Sequence, residues 1–195
     1  ARDHAGNHLN IWIAGPAGTG KTSAAENAAT ALGLDFASTG ALVESYKIFG
    51  FIAPGTGEYI PTPFRKIWEH GGVFLFDDCD GSDPTVMVEL NNALANGGCT
   101  FPDGFIRRHA NTVLLLTANT WGHGSTSDYV GRMKQDAAFL DRFARIFWDT
   151  DEELERETSP NADWTKHVQD IRAKVKAKGI KVLVTPRATY YGAAL

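Results

Sequence analysis

Cysteine is scarce in this chain of 195 residues: there are two, Cys79 and Cys99, with no CxxC spacing and no His/Cys cluster of zinc type. That argues against a disulfide framework or a structural zinc site and fits a reducing compartment, the cytoplasm. Long apolar runs are lacking, so no segment is expected to span a membrane. The polar start ARDHAGNH has neither the basic flank nor the apolar stretch of a signal peptide. Positive charge is not in excess either. The net charge of -4 provides no overall basic field for nucleic acid, although a local basic face is compatible with it. Internal repeats and low-complexity tracts are absent. The first residue is not Met, and the chain stops at TYYGAAL soon after an apparent helix start, so a fragment of something longer is expected.

What is present is an alternation of short apolar runs with helical segments. LNIWIAG, LDFAST, VFLFDD, TVLLLTAN and RIFWD read as strands buried on both faces of a parallel sheet. SAAENAATALG, PFRKIWEHG, PTVMVELNNALANG and DAAFLDRFA read as the helices between them. The expected fold is α/β, a doubly wound sheet with helices on both faces. This length supports one sizeable core with a small appended subdomain, which gives an α/β domain over residues 1–150 and a short helical subdomain over 151–195. In the latter, acidic DTDEELERE reads as a solvated helix start or linker. Trp164, Val168, Ile171 and Val175 then recur at helical spacing, and Arg172, Lys174, Lys176 and Lys178 read as a solvated face.

The most specific stretch is GPAGTGKT, which sits directly after the strand-like NIWIA and directly before a helix. Gly15-x-x-x-x-Gly20-Lys21-Thr22 is the complete P-loop pattern. Glycine here lets the backbone N–H groups of Gly15, Pro16-Ala17-Gly18, Thr19 and Gly20 curl around phosphates (Pro16 itself has no N–H), and the following helix adds the positive end of its dipole. Lys21 is placed for the β- and γ-phosphates, Thr22 offers its hydroxyl to Mg²⁺, and Ser23 falls in the first helical turn. In the run over residues 73–78, four apolar residues end in two carboxylates. Strand ends are where such sheets bind ligands, so Asp77 is expected to hold Mg²⁺ through water and Asp78 to orient or deprotonate the attacking water. Acidic residues also end strands as turn formers, the reading given to Asp80, Gly81 and Asp83.

GPAGTGKT, VFLFDDCD, LLLTANT, LDRF and TPRA, in this order and spacing, resemble the AAA+ ATPases, and most of all their MoxR-like and dynein-related branch found in bacteria and phages. The resemblance runs from about residue 8 onward. It implies a Mg²⁺-dependent ATPase that binds ATP and ADP, assembles with copies of itself into a ring, most often a hexamer, and remodels a partner protein. It implies that Asn119 is the sensor 1 residue, that Arg142 is the arginine finger given to the neighbouring subunit, with Arg145 close enough to share or replace it, and that Arg187 is sensor 2 at the start of a lid helix. The branch normally carries Glu where this chain has Asp78, so hydrolysis is expected to be sensitive to that position.

Three further segments are open. The aromatics Tyr46, Phe49, Phe51 and Tyr59 either line a pore, as loops here do in ring-shaped relatives, or pack under their own loop. TFPDGFIRRHANTVLLL reads as a β-hairpin turning at Pro102-Asp103-Gly104. Its Arg107, Arg108 and His109 either contact a subunit or substrate, nucleic acid included, or are solvated edge charges. TWGHGSTSDYVGRMKQD reads as a polar surface loop with Trp121 and Arg132 near the subunit boundary and His123 as a loop histidine.

Overall fold

The computed structural model describes residues 1–3 and 6–194. In chain order it begins β1 (Ile11–Ala14), α1 (Lys21–Ala31), β2 (Phe36–Thr39), α2 (Tyr46–Phe49), β3 (Phe51–Ile52), β4 (Tyr59–Ile60), α3 (Pro63–His70) and β5 (Gly72–Phe76). A 3-10 turn at Cys79–Gly81 leads to α4 (Pro84–Val88), α5 (Asn91–Asn96), β6 (Gly98–Phe101), β7 (Gly104–Arg107), β8 (Thr112–Ala118), α6 (Ala137–Leu140) and β9 (Ala144–Phe147). Then come α7 (Glu152–Thr158), α8 (Ala162–Ala177) and α9 (Pro186–Ala193).

β1, β2, β5, β8 and β9 form one parallel sheet in the order β2-β5-β8-β1-β9. These are the five runs read as buried strands, but of them the edge strands differ from that reading: β9 is exposed throughout and β2 only partly buried. Side chains alternate across a pleated strand, and in the middle strands both faces are apolar. Val73 and Leu75 of β5 and Leu115 of β8 meet Ala25 and Ala29 of α1 on one side. Phe74 and Phe76 of β5, with Leu114 and Leu116 of β8, enter a larger core on the other side. Phe64 of α3 centres that second core, with its ring 5.1 Å from Phe74, 5.6 Å from Phe76 and 5.5 Å from Trp68. Truncating Phe64 to alanine would cost about 3–5 kcal/mol, the usual loss for a buried phenylalanine. The helix that carries it starts where Thr62 accepts the Arg65 N–H and Pro63 occupies the first helical position.

Local chemistry also sets where the sequence reading needs correction. The run PTVMVELNNALANG is two short helices rather than one, and DAAFLDRFA contributes only the four residues of α6. The valines and asparagines of the first segment are weak helix formers, and the second is short against the cost of starting a helix. The predicted hairpin is present as β6 and β7, paired with each other as a separate antiparallel ribbon. The acidic stretch is a helix start: Asp151 accepts the Glu153 and Leu154 N–H groups, and three glutamates in the first turn of α7 favour its dipole. Among the described residues no helix is long and apolar enough to cross a membrane.

Candidate active site

β1 ends at Ala14 inside the sheet, between the central strand β8 and the edge strand β9, and the phosphate loop leaves from there. The loop is held from both sides. Gly15 donates to the Ala118 carbonyl at 3.2 Å, Trp148 N–H donates to the Ala14 carbonyl at 2.7 Å, and the Trp148 indole donates to the Thr19 carbonyl at 3.0 Å. Gly18 and Gly20 have φ of 75° and 83°, a left-handed backbone that glycine adopts without strain. α1 opens at Lys21, so its free N–H groups face the loop. The Lys21 amine donates to the carbonyls of Gly15 (2.8 Å) and Pro16 (2.7 Å) and to the Asn119 side-chain oxygen (3.3 Å). Burial lowers its pKa, with Asp78, Asp77 and Asp80 pulling the other way.

The carboxylates that follow β5, Asp77 and Asp78, emerge beside it. Asp77 accepts from the Thr22 hydroxyl at 2.9 Å and from the Thr117 hydroxyl. Asp78 has φ 52°, the one non-glycine residue with positive φ among the described residues. Its carboxylate accepts from the Asn119 amide at 3.2 Å and pairs with Arg132 at 3.1 Å. Asn119 therefore stands between Lys21 and Asp78, one end of its amide on each. Thr22, Asp77, Asp78, Asn119, Arg132 and Arg187 line a cleft of about 560 Å³ together with the phosphate loop. Ser23, in the first turn of α1, lines it as well.

The other predicted residues divide. Arg187 reaches the cleft from the first turn of α9, its aliphatic stem packed against Gly18. Arg142 is half-buried, and its guanidinium donates to the carbonyls of Asn91 (3.1 Å) and Ala138 in its own chain. Arg145, on edge strand β9, is exposed. Of the aromatic stretch, Phe49 and Tyr59 pack on the core, the Tyr59 hydroxyl donating to the Phe49 carbonyl, whereas Tyr46 and Phe51 are exposed and meet edge to face. Arg107 is exposed, but Arg108 is buried and donates to Asn10, His8 and Thr112, which removes it from any surface role. Arg172 departs from the solvated face: it turns inward onto buried Glu155 with two 2.8 Å bonds. Trp121 packs on the core, and His123 bridges to Lys134 within its loop.

Several residues of the site were not singled out as such in the sequence. Asp80 lies in the turn at Cys79–Gly81, as read, but its side chain does more than shape that turn. It is fully buried, and one carboxylate oxygen accepts from the N–H of Asn119 (3.2 Å) and from the N–H and hydroxyl of Thr120 (2.9 and 2.8 Å). A third carboxylate two positions after the pair was the available signal. Thr117, a hydroxyl next to the carboxyl end of an otherwise apolar run, was another. Tyr129, whose hydroxyl accepts from the Ala17 N–H at 3.1 Å, comes from the polar loop and gave none.

The donor set fits a magnesium nucleotide. Among the described residues no cluster of three or more His, Cys, Asp or Glu could hold a metal unaided. Mg²⁺ does not need one, because it keeps several waters and binds through one or two carboxylates plus substrate phosphates. Thr22 and Asp77 are donors of that kind, next to a loop whose N–H groups suit phosphate.

Comparison with known proteins agrees with this fold. No curated protein matches the sequence significantly. Among solved structures, the fold is similar to Thermotoga maritima RuvB carrying P216G (TM-score 0.53, 17% identity, covering 86% of this chain and 57% of that one). It is similar to NtrX of Brucella abortus (0.58, 15%, 92% and 39%) and to an inferred ATPase of Cytophaga hutchinsonii (0.58, 21%, 76% and 44%). The chain thus spans less than two thirds of each. A sequence profile of the AAA domain, dynein-related subfamily, matches residues 10–143, and the chain belongs to that family.

Proposed function

We propose that this chain is the Mg²⁺-dependent ATP-hydrolysing module of a MoxR-like ring that remodels a partner protein in the cytoplasm. The observation that carries the reading is the convergence of Lys21, Thr22, Asp77, Asp78 and Asn119 on one cleft. The phosphate loop and Lys21 bind the β- and γ-phosphates of ATP. Thr22 and Asp77 hold Mg²⁺, which when bound neutralises charge on the phosphate oxygens. Asp78 orients the attacking water and accepts its proton, and Asn119 fixes where that water sits. Residues 151–195 act as the helical lid, with Arg187 reaching the γ-phosphate from its third helix. An arginine of the neighbouring copy completes the site. Arg145 is the freer candidate, since the Arg142 guanidinium is engaged within its own chain.

The test is ATP hydrolysis as a function of protein concentration, with Arg142→Ala, Arg145→Ala and mixtures of each with Lys21→Ala. Specific activity that rises with concentration, is lost in the finger variant and partly returns in its mixture supports shared sites in a ring. Tight binding with negligible turnover at every concentration favours a second reading, a nucleotide-controlled assembly scaffold, for which the pairing of Asp78 with Arg132 is the motive. A nucleic-acid motor is weakened by the burial of Arg108.

A further inference from the structure

Asp80 and Arg132 tie the site into a closed circuit. The Arg132 guanidinium lies 3.1 Å from the Asp78 carboxylate and 3.4 Å from that of Asp80, and its side chain is only 18% exposed. Asp78 in turn accepts from the Asn119 side chain, and Asp80 accepts from the Asn119 backbone. The arginine is delivered by the loop after β8, which is pinned at its return by the Met133 N–H on the Asp80 carbonyl at 2.7 Å. A side chain at Gly81 would stand 3.0 Å from an Arg132 nitrogen, so the guanidinium lies directly on the turn that carries Asp78. The Asp80 oxygen facing Arg132 is buried and has no hydrogen-bond donor of its own, leaving the ion pair as its compensation.

A planar guanidinium shared by two carboxylates fixes both direction and distance, which a lysine cannot do. From this we infer that Arg132 is a positioning residue for ATP hydrolysis, acting in its own subunit by setting the orientation of the Asp78 carboxylate. This deepens the ATPase reading and rests on it. Asp80 serves as the fixed point: fully buried and saturated on one oxygen by Asn119 and Thr120 just after β8, it gives the arginine a rigid footing. Asp78, 55% exposed at its side chain, is the member free to address water.

The experiment compares Arg132→Ala and Arg132→Lys in the natural background and in Asp78→Asn, reading kcat, KM, the dissociation constant of a fluorescent ATP analogue and the melting temperature. Residual rates in the Asp78→Asn background are followed as single turnovers with protein in excess. Arg132→Ala is expected to lower kcat about tenfold or more while nucleotide affinity stays within roughly threefold, with Arg132→Lys in between. In the Asp78→Asn background the same change should cost nothing further, because residues acting as a unit are not additive. Equal losses in both backgrounds, or a loss confined to affinity, would overturn the inference. Should Arg132→Ala not fold, Arg132→Lys in the two backgrounds gives the same comparison. Undiminished turnover in a folded Arg132 variant defeats this inference alone, whereas a natural protein without turnover defeats the ATPase reading and this with it.

Discussion

A Cβ on Gly15 would stand 1.8 Å from the Trp148 carbonyl oxygen, so the start of the phosphate loop and the end of β9 are in direct backbone contact. Gly15→Ala must push the two apart. We expect ATP affinity to fall about tenfold or more and stability to drop by about 1–3 kcal/mol, the usual cost of overpacking. Calorimetric titration and thermal denaturation read the two effects. An unchanged affinity would mean that the loop does not depend on β9 for its shape.

Lys21 gives a pH signature. Its amine is held below the ordinary lysine value by burial, against the pull of three aspartates. The amine is charged below its folded pKa and neutral above it, and only the charged form attracts phosphate. Affinity for ATP should therefore be level through neutral pH and decline on the alkaline side sooner than an unperturbed lysine would allow. Titrations of the natural protein and Lys21→Ala across that range decide it, since the variant should bind weakly with no such decline.

Asp78→Asn keeps the size of the side chain and removes the carboxylate. Turnover should fall by about 100-fold or more, while nucleotide affinity changes by less than about threefold. Steady-state hydrolysis beside binding of a fluorescent analogue separates the two. A comparable loss of affinity would make Asp78 a binding residue instead.

Glu155 links α7, α8 and α9, receiving Arg172, Gln169 and Thr189. Burial alone would raise its pKa, but the hydrogen bonds from Arg172, Thr189 and Gln169 together outweigh it and leave the carboxyl below its usual 4.5. A depressed carboxyl contributes stability that is complete above the unfolded value and is lost as pH falls through the folded one. Glu155→Gln should cost about 1–3 kcal/mol near neutral pH, because it removes the buried partner charge of Arg172 and leaves it only the exposed Glu152 at 3.3 Å. The difference in melting temperature from the natural protein should shrink as the pH falls below the ordinary glutamate value. A difference independent of pH would show that packing, not charge, holds these helices.

The parallel sheet was legible because its middle strands are apolar on both faces, and Val73, Phe74, Leu75 and Phe76 write that as an unbroken run. The phosphate loop was legible because glycine, lysine and threonine at fixed spacing face one chemical demand. Arg132 and Tyr129 were not, since a polar loop of mixed composition carries no periodicity that says where it folds back. Arg172 misled for a related reason: a basic run at helical spacing gives no sign that one member has a buried carboxylate seventeen residues earlier in sequence, with which it bonds. Arg108 was read as a surface charge because its acceptors, His8, Asn10 and Thr112, are two backbone carbonyls and an amide rather than acids.

The left-handed turn at Asp78 narrows what mutation can offer at that site. Short Asp and Asn tolerate this backbone through local hydrogen bonding, whereas most other side chains pay about 1–2 kcal/mol for it. A glutamate would add reach but would have to be carried by a turn that resists it and by an arginine already spaced for the shorter acid. The shorter acid and the bent backbone thus come as a matched pair, and exchanging only one of them asks the protein to re-form the corner on which both rest.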